Sequence, residues 1–168
     1  MKLILEDHPE FNQAFQEAFG ILVQKLGIEN HKAVVHLRFE HNPVKDRIVF
    51  GFRLGQQYEG GRVENYTTYD ADGTVHIRMI LNTAPAPTFA IQAISDNYIM
   101  GSFAHEMTHV KQMIVGDLKA TTEVVIWKGQ EVSWHSAYRD RPWEKEAFQF
   151  QEEAINLVRN LDPLNLVK

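Results

Sequence analysis

The sequence contains no cysteine. Disulfide bonds, thiolate metal ligands and cysteine nucleophiles are therefore excluded. A metal ion bound by this chain must be held by nitrogen and oxygen ligands, which points to histidine, aspartate and glutamate. Because a cysteine-free chain suits oxidising and reducing compartments equally, this absence does not locate the protein.

Long apolar runs and basic stripes are missing as well. The N-terminal apolar run covers only residues 3–5 before Glu6 and Asp7, which is too short for the core of a signal peptide. No other run is long enough to span a bilayer. The net charge of −5 carries no basic stripe of the kind that nucleic-acid binders show. We expect a soluble, cytoplasmic protein that binds neither membranes nor nucleic acid.

The composition is that of a globular protein. The chain has 168 residues, of which 44% are hydrophobic and 23% charged. This length fits one hydrophobic core better than two. The only linker-like segment, NTAPAPT at 82–88, is short enough to be an internal loop. We predict a single compact domain over residues 1–168.

The first regular element is predicted to be a helix. Asp7 and Glu10 suit a capping box, Pro9 suits the first turn and Gly27 suits the C-terminal end. Apolar residues recur at the i, i+3, i+4, i+7 spacing of one helix face: Phe11, Ala14, Phe15, Ala18, Phe19, Leu22, Val23 and Leu26.

The remaining pattern predicts an α+β order of elements. Four segments between residues 33 and 82 are rich in β-branched and aromatic residues: AVVHLRF, RIVFGFRL, RVENYTTY and TVHIRMIL. Asp72-Gly73 is a hairpin turn signal. A helix is expected to begin between 88 and 96 and to end at Gly116. Two short strands around Lys128-Gly129 and a last helix from Pro142 to about residue 160 complete the chain. We expect a mixed sheet that packs against the first helix and the central helix.

The central helix contains the motif HEMTH at residues 105–109. Positions i and i+4 lie one above the other on a helix, so His105 and His109 can bind one metal ion. Zinc accepts imidazole nitrogens, and catalytic zinc takes three protein ligands plus a water molecule. Glu106 is placed to remove a proton from that water as it attacks a carbonyl group. The histidine face is small or polar one turn earlier, which suits an open metal cleft.

The other histidines show no metal-binding spacing. We expect them to be surface or hydrogen-bonded residues: His8, His31, His36, His41, His76 and His135. His135 is the hardest to dismiss, because it precedes the region of the third ligand. His135, Ser136 and Asp140 are too close in sequence for a catalytic triad, which needs separate elements to converge.

A resemblance to a known family rests on two motifs. HExxH on one helix, followed by a second helix that brings a Glu, resembles the gluzincin branch of zincin metallopeptidases, which includes thermolysin. FAHEMTHVKQ, a Trp-Lys-Gly hairpin and PWExEA also resemble small, single-domain metallopeptidases that are often phage-encoded. The similarity covers about residues 73 to 160. It implies a zincin-like fold, a bound Zn²⁺ and hydrolysis of peptide bonds in a peptide or protein substrate by a zinc-bound water.

The resemblance implies that Glu144 is the third zinc ligand, with Glu146 as the alternative. Family ligands resemble E-x-x-A or E-x-x-S, and Ala147 stands three residues after Glu144. Glu144 also lies in the first turn of its helix, where the dipole favours a carboxylate. The chain departs from the larger family members at Phe148, where many have an Asp that supports a histidine ligand. Tyr138, before the last helix, is the candidate that stabilises the oxyanion.

Two other functions compete with a peptidase. The first is a zinc-binding virion or assembly module that does not cleave, against which Glu106 argues, since a structural site needs no base. The second is a metallo-hydrolase that acts on a non-peptide amide, such as a cell-wall cross-link. We expect the strand at 74–81 to form a sheet edge, with which an extended substrate pairs. The oligomeric state is left open.

Overall fold

The computed structural model describes residues 1–41, 45–49, 52–57, 61–83, 98–120, 124–133 and 137–161. These residues form three α-helices and nine strands. The helices are α1 (Asn12–Leu26), α2 (Tyr98–Ile114) and α3 (Pro142–Val158). The strands are β1 (Lys2–Leu5), β2 (Ala33–Glu40), β3 (Lys45–Val49), β4 (Phe52–Gln57), β5 (Gly61–Tyr69), β6 (Val75–Asn82), β7 (Leu118–Ala120), β8 (Val125–Trp127) and β9 (Gln130–Val132). The predicted α+β class is confirmed.

The main sheet has four strands in the order β1-β2-β6-β5. β1, β2 and β6 are parallel to one another, and β5 is antiparallel to β6. Side chains alternate between the two faces of the sheet, so β2 buries Val35 and Leu37 while His36 and Arg38 lie on the other face. Strand β1 was not predicted, because its four residues are too few to show a period.

The core lies between this sheet and the helices. The apolar face of α1 is buried as predicted, with Phe15 and Leu22 fully inaccessible. Helix α2 contacts β5, β6, α1 and α3. Its Phe103 ring packs on Phe15 at 5.0 Å between ring centroids. Helix α2 is therefore enclosed by other elements along much of its length.

The start of α1 differs from the prediction. Residues 9–11 form a 3₁₀ turn ahead of the helix, and no side chain caps the helix N-terminus. The carboxylate of Asp7 instead accepts the backbone N–H of Phe39 at 3.2 Å, and Glu10 contacts His8. The prediction of a capping box was therefore wrong, because the Asp7 side chain hydrogen bonds to β2 instead of to the helix. The C-terminal prediction is confirmed, with Gly27 at φ 69°.

Hairpins account for the rest of the strand pattern. The segment RIVFGFRL, predicted as one strand, is divided between β3 and β4, which pair antiparallel with Val49 opposite Phe52. The turn at Asp72-Gly73 is confirmed between β5 and β6, where Gly73 has φ 80°. The predicted hairpin at Lys128-Gly129 joins β8 to β9 and forms a small antiparallel sheet with β7.

The expected position of β6 was wrong. Residues 74–81 were predicted to form a sheet edge that accepts substrate, but β6 lies between β2 and β5 and pairs with both. Among the described residues, β5 is the edge strand on this side of the sheet. The predicted start of the central helix, the NTAPAPT loop after residue 83, His135 and Ser136 lie outside the described residues. The single-domain assignment stays a prediction.

Candidate metal centre

Helix α2 carries the HEMTH motif into the interior of the protein. Its apolar face is buried as expected, but the histidine face is covered too, with His105 at 5% and His109 at 9% exposure. Helix α3 provides much of this cover, and Gly101 permits its close approach, since a Cβ atom there would lie 3.2 Å from Gln151 Nε2. The open cleft expected from the sequence is therefore a largely enclosed site.

Three side chains converge at one point between α2 and α3. The Nε2 atoms of His105 and His109 are 3.3 Å apart, and Glu144 Oε2 lies 3.2 Å from the first and 3.5 Å from the second. Ligand bonds of 2.0–2.2 Å at tetrahedral angles place neighbouring donor atoms about 3.3–3.5 Å apart. The triangle therefore has the size and the donor chemistry of a site that can hold a metal ion such as zinc.

The two glutamates of PWEKEA have different surroundings. Glu144 is buried in the first turn of α3, and Ala147, fully buried one turn later, leaves room for α2. Glu146 points elsewhere, where it accepts Lys111 Nζ at 2.6 Å and Lys128 Nζ at 3.2 Å. Glu144 is the one placed among the histidines, and Glu146 is engaged in an ion-pair network.

The triangle favours a negative charge on Glu144 and a positive charge on His109. Burial alone raises the pKa of Glu144, but hydrogen bonds from His105 and His109 outweigh it and lower the pKa to about 2. Burial lowers the pKa of His109, but the hydrogen bond to Glu144 and the charge of Glu106 raise it to about 9. Without an ion, the site therefore holds a proton on His109 next to an ionised Glu144, and a cation can take the place of that proton.

His109 is supported by Gln112, a residue to which the sequence assigned no role. Gln112 Oε1 lies 2.8 Å from His109 Nδ1, and Gln112 Nε2 donates to the backbone carbonyl of Trp143 at 3.0 Å. Because Oε1 only accepts, Nδ1 carries a hydrogen, and Nε2 is the nitrogen that can bind a metal ion once its own proton is displaced. The signal was present in the sequence, since a glutamine three residues after a ligand shares its helix face.

His105 is supported by packing instead of a hydrogen bond. The ring of Phe148 meets the His105 ring edge-on, with 4.6 Å between centroids. Among the described residues, His105 Nδ1 has no hydrogen-bond partner. Phe148, where the sequence departs from the larger gluzincins, thus positions this imidazole by contact. A buried ring nitrogen without a hydrogen-bond partner costs about 1–3 kcal/mol.

Glu106 lies against strand β5. Its side chain accepts a hydrogen bond from the backbone N–H of Val63, and burial raises its pKa. Its Oε2 has no hydrogen-bond partner within the described part of the chain. Gly61 makes this contact possible, because a Cβ atom there would lie 3.0 Å from Glu106 Cγ. Glu106 therefore offers one free carboxylate oxygen beside the two histidines.

Tyr138 lies at the border of the site in a 3₁₀ turn, Tyr138–Asp140. Its hydroxyl hydrogen bonds to Glu144, and burial together with that carboxylate raises the pKa of Tyr138 above its ordinary value. The residue is half exposed, at 50%. It is thus positioned on a proposed ligand, and its role toward an oxyanion stays a prediction.

The structure brings together His105, His109, Glu144, Glu106 and Tyr138, as the sequence analysis grouped them. Asp140 is exposed and takes no part in this group. Comparison of the chain with protein-family models, with curated proteins and with solved structures finds no match. No helix in the described ranges has the length and apolarity to cross a membrane. What the structure defines is a buried His-His-Glu group in an HExxH-plus-Glu arrangement.

Proposed function

We propose that this protein is a zinc-dependent peptidase, with His105, His109 and Glu144 as zinc ligands and Glu106 as the general base. One observation supports it above the others: a buried His-His-Glu triangle lies beside a carboxylate that has a free oxygen. Three ligands of this kind are the set that catalytic zinc sites use, with a fourth position left for water or substrate.

Zinc in this position would supply Lewis acidity, polarising the scissile carbonyl group and making water a stronger nucleophile. Glu106 takes the proton of the attacking water on Oε2, because its other contact is the Val63 amide. Burial raises its pKa, which suits a group that first accepts a proton and later donates it to the leaving amine. Gln112 holds His109 in the tautomer whose Nδ1 carries the hydrogen. Tyr138 hydrogen bonds to Glu144, and its hydroxyl turns to the oxyanion as that charge develops.

The substrate is proposed to pair with β5, in place of β6. Two contacts support this: the Val63 amide bonds to Glu106, and Gly61 lies against the same side chain. An extended peptide added to this edge by backbone hydrogen bonds would pass next to the base. Strand β6 cannot take this role, because both of its edges already pair with β2 and β5.

A non-catalytic zinc-binding module is the second candidate. The low exposure of His105, His109 and Glu144 favours it, since structural sites are closed. Against it stands Glu106, whose burial with an unpaired oxygen costs free energy and contributes nothing to a structural site.

A cleavage profile of a whole proteome, with and without a chelator, identifies a substrate and separates the two candidates. Glu106→Gln is then expected to keep zinc on His105, His109 and Glu144 and to lower hydrolysis by about two to four orders of magnitude. Glu152→Gln, on the exposed face of α3, is the control and keeps full activity. Unchanged turnover in Glu106→Gln would contradict the mechanism. Absence of zinc uptake by the wild type would contradict the whole proposal.

A further inference from the structure

A second group of histidines lies on the outer face of the main sheet, away from α2. His36 on β2 and His76 on β6 belong to neighbouring parallel strands, and His76 stands opposite the residue two positions before His36. Their rings meet with His36 Nε2 2.9 Å from His76 Nδ1. Each side chain remains about a quarter exposed, at 24% and 27%.

Both rings also have a carboxylate at their other nitrogen. His76 Nε2 lies 2.9 Å from Asp70 Oδ2, in the turn between β5 and β6. His36 Nδ1 lies 3.4 Å from Glu6 Oε1, just after β1. Asp70 accepts the hydrogen of His76 Nε2, so His76 Nδ1 presents a lone pair to His36 Nε2 and the two inner nitrogens share one proton. A cation can take the place of that proton.

This arrangement is the outer support that metal-binding histidines have. Imidazole ligands commonly donate their second N–H to a carboxylate, which fixes the tautomer and makes the ligating nitrogen more basic. Two nitrogens on a tetrahedral ion lie about 3.3 Å apart. His105 and His109 already show that separation, with ring centroids at 4.9 Å. The outer pair has its centroids at 5.3 Å, so rotation of the rings that widens the gap from 2.9 to about 3.3 Å suffices.

We propose that His36 and His76 form a second metal site, which binds a divalent transition ion such as Zn²⁺ or Ni²⁺ through their inner nitrogens. Water completes the coordination, since both side chains are partly exposed. Imidazole nitrogen suits zinc and nickel. Glu6 and Asp70 compensate the charge from outside, and the ion joins two strands of the sheet. This site is independent of the proposed peptidase centre.

Metal-free protein without a histidine tag is titrated with Zn²⁺, and in parallel with Ni²⁺, by calorimetry and equilibrium dialysis. The wild type is expected to bind two ions per chain. His36→Asn and His76→Asn are each expected to bind one, and Asp70→Asn to bind the second ion about 10–100-fold more weakly. His31→Asn, an exposed histidine outside the pair, is the matched control and keeps both ions.

The number of ions bound per chain separates the two sites. If the peptidase centre does not bind metal, the wild type binds one ion and His36→Asn binds none. If the outer site does not exist, His36→Asn and His76→Asn match the wild type in both stoichiometry and affinity, and the proposal is overturned. Circular dichroism in the presence of a chelator verifies that each variant is folded. Should His36→Asn be unfolded, His76→Asn and Asp70→Asn decide the matter.

Discussion

Gln112 makes the sharpest test of the metal centre, because its two hydrogen bonds can be removed separately. Its oxygen faces His109 Nδ1, and its nitrogen donates to the carbonyl of Trp143. Gln112→Met keeps a side chain of similar length and removes both hydrogen bonds. Gln112→Glu keeps an acceptor for His109 and removes only the donor to Trp143. The pair of variants therefore separates ligand orientation from helix packing.

The expected changes in stability and zinc affinity follow from the complete burial of Gln112. Gln112 is inaccessible to solvent, so Gln112→Met leaves the ring N–H of His109 without its partner and removes one contact of the Trp143 carbonyl. One buried unsatisfied group costs about 1–3 kcal/mol, so we expect the free energy of unfolding to fall by about that amount. Loss of the support for His109 is expected to weaken zinc binding about 10–100-fold. Gln112→Glu is expected to lose stability as well, but to bind zinc at least as tightly as the wild type.

Zinc affinity is measured by competition with a chelating dye, and stability by urea unfolding of the metal-free protein. Gln149→Met, at an exposed position of α3, is the control and should change neither quantity by more than about 0.5 kcal/mol. Equal zinc affinity in Gln112→Met and the wild type would refute the orienting role. Equal losses of affinity in Gln112→Met and Gln112→Glu would show that packing, not the hydrogen bond to His109, decides binding.

Four further predictions concern the same centre. Glu144→Ala should weaken zinc binding in the dye competition while Glu146→Ala leaves it unchanged, and the opposite order would make Glu146 the ligand. Zinc displaces the proton of His109, whose pKa is raised from 6.5 to about 9, so affinity should rise about tenfold per pH unit over that interval. In the metal-free protein that proton stabilises the fold fully below pH 6.5, so the free energy of unfolding in urea should fall as pH rises toward 9. A urea midpoint that does not change with pH would contradict this. Gly61→Ala should lower the free energy of unfolding in urea by about 1–3 kcal/mol, because the new Cβ would lie 2.8–3.0 Å from three neighbouring atoms. In the control Gly20→Ala, the new Cβ meets no atom within 4 Å, so this variant should be neutral or stabilising.

The histidine pair on helix α2 could be predicted from the sequence, because helix geometry is local. Residues four apart on any helix lie on one face, so His105 and His109 had to be neighbours once α2 formed. The first turn of α3 likewise placed Glu144 where a carboxylate is favoured. The class of fold followed from the change between periods of 3.6 and 2.

Sheet order was decided only by the tertiary structure. Alternation shows that a strand has one apolar face, but it carries no information about which strands lie beside it. The strand at 75–82 was therefore placed at an edge, whereas β2 and β5 flank it. Strand β1 escaped notice for the same reason, since pairing with β2 defines it, and its own pattern does not.

The partners of the site residues depend equally on tertiary structure. The sequence alone determined that two histidines lie on one helix face suited to a metal, because helix geometry repeats regularly along the chain. The glutamate came from the resemblance to gluzincins. Only the packing of α3 on α2 brought Phe148 to His105 and the Trp143 carbonyl to Gln112. Such contacts join residues more than thirty positions apart, and their distances are set by how the elements pack, which no periodicity within a single element records.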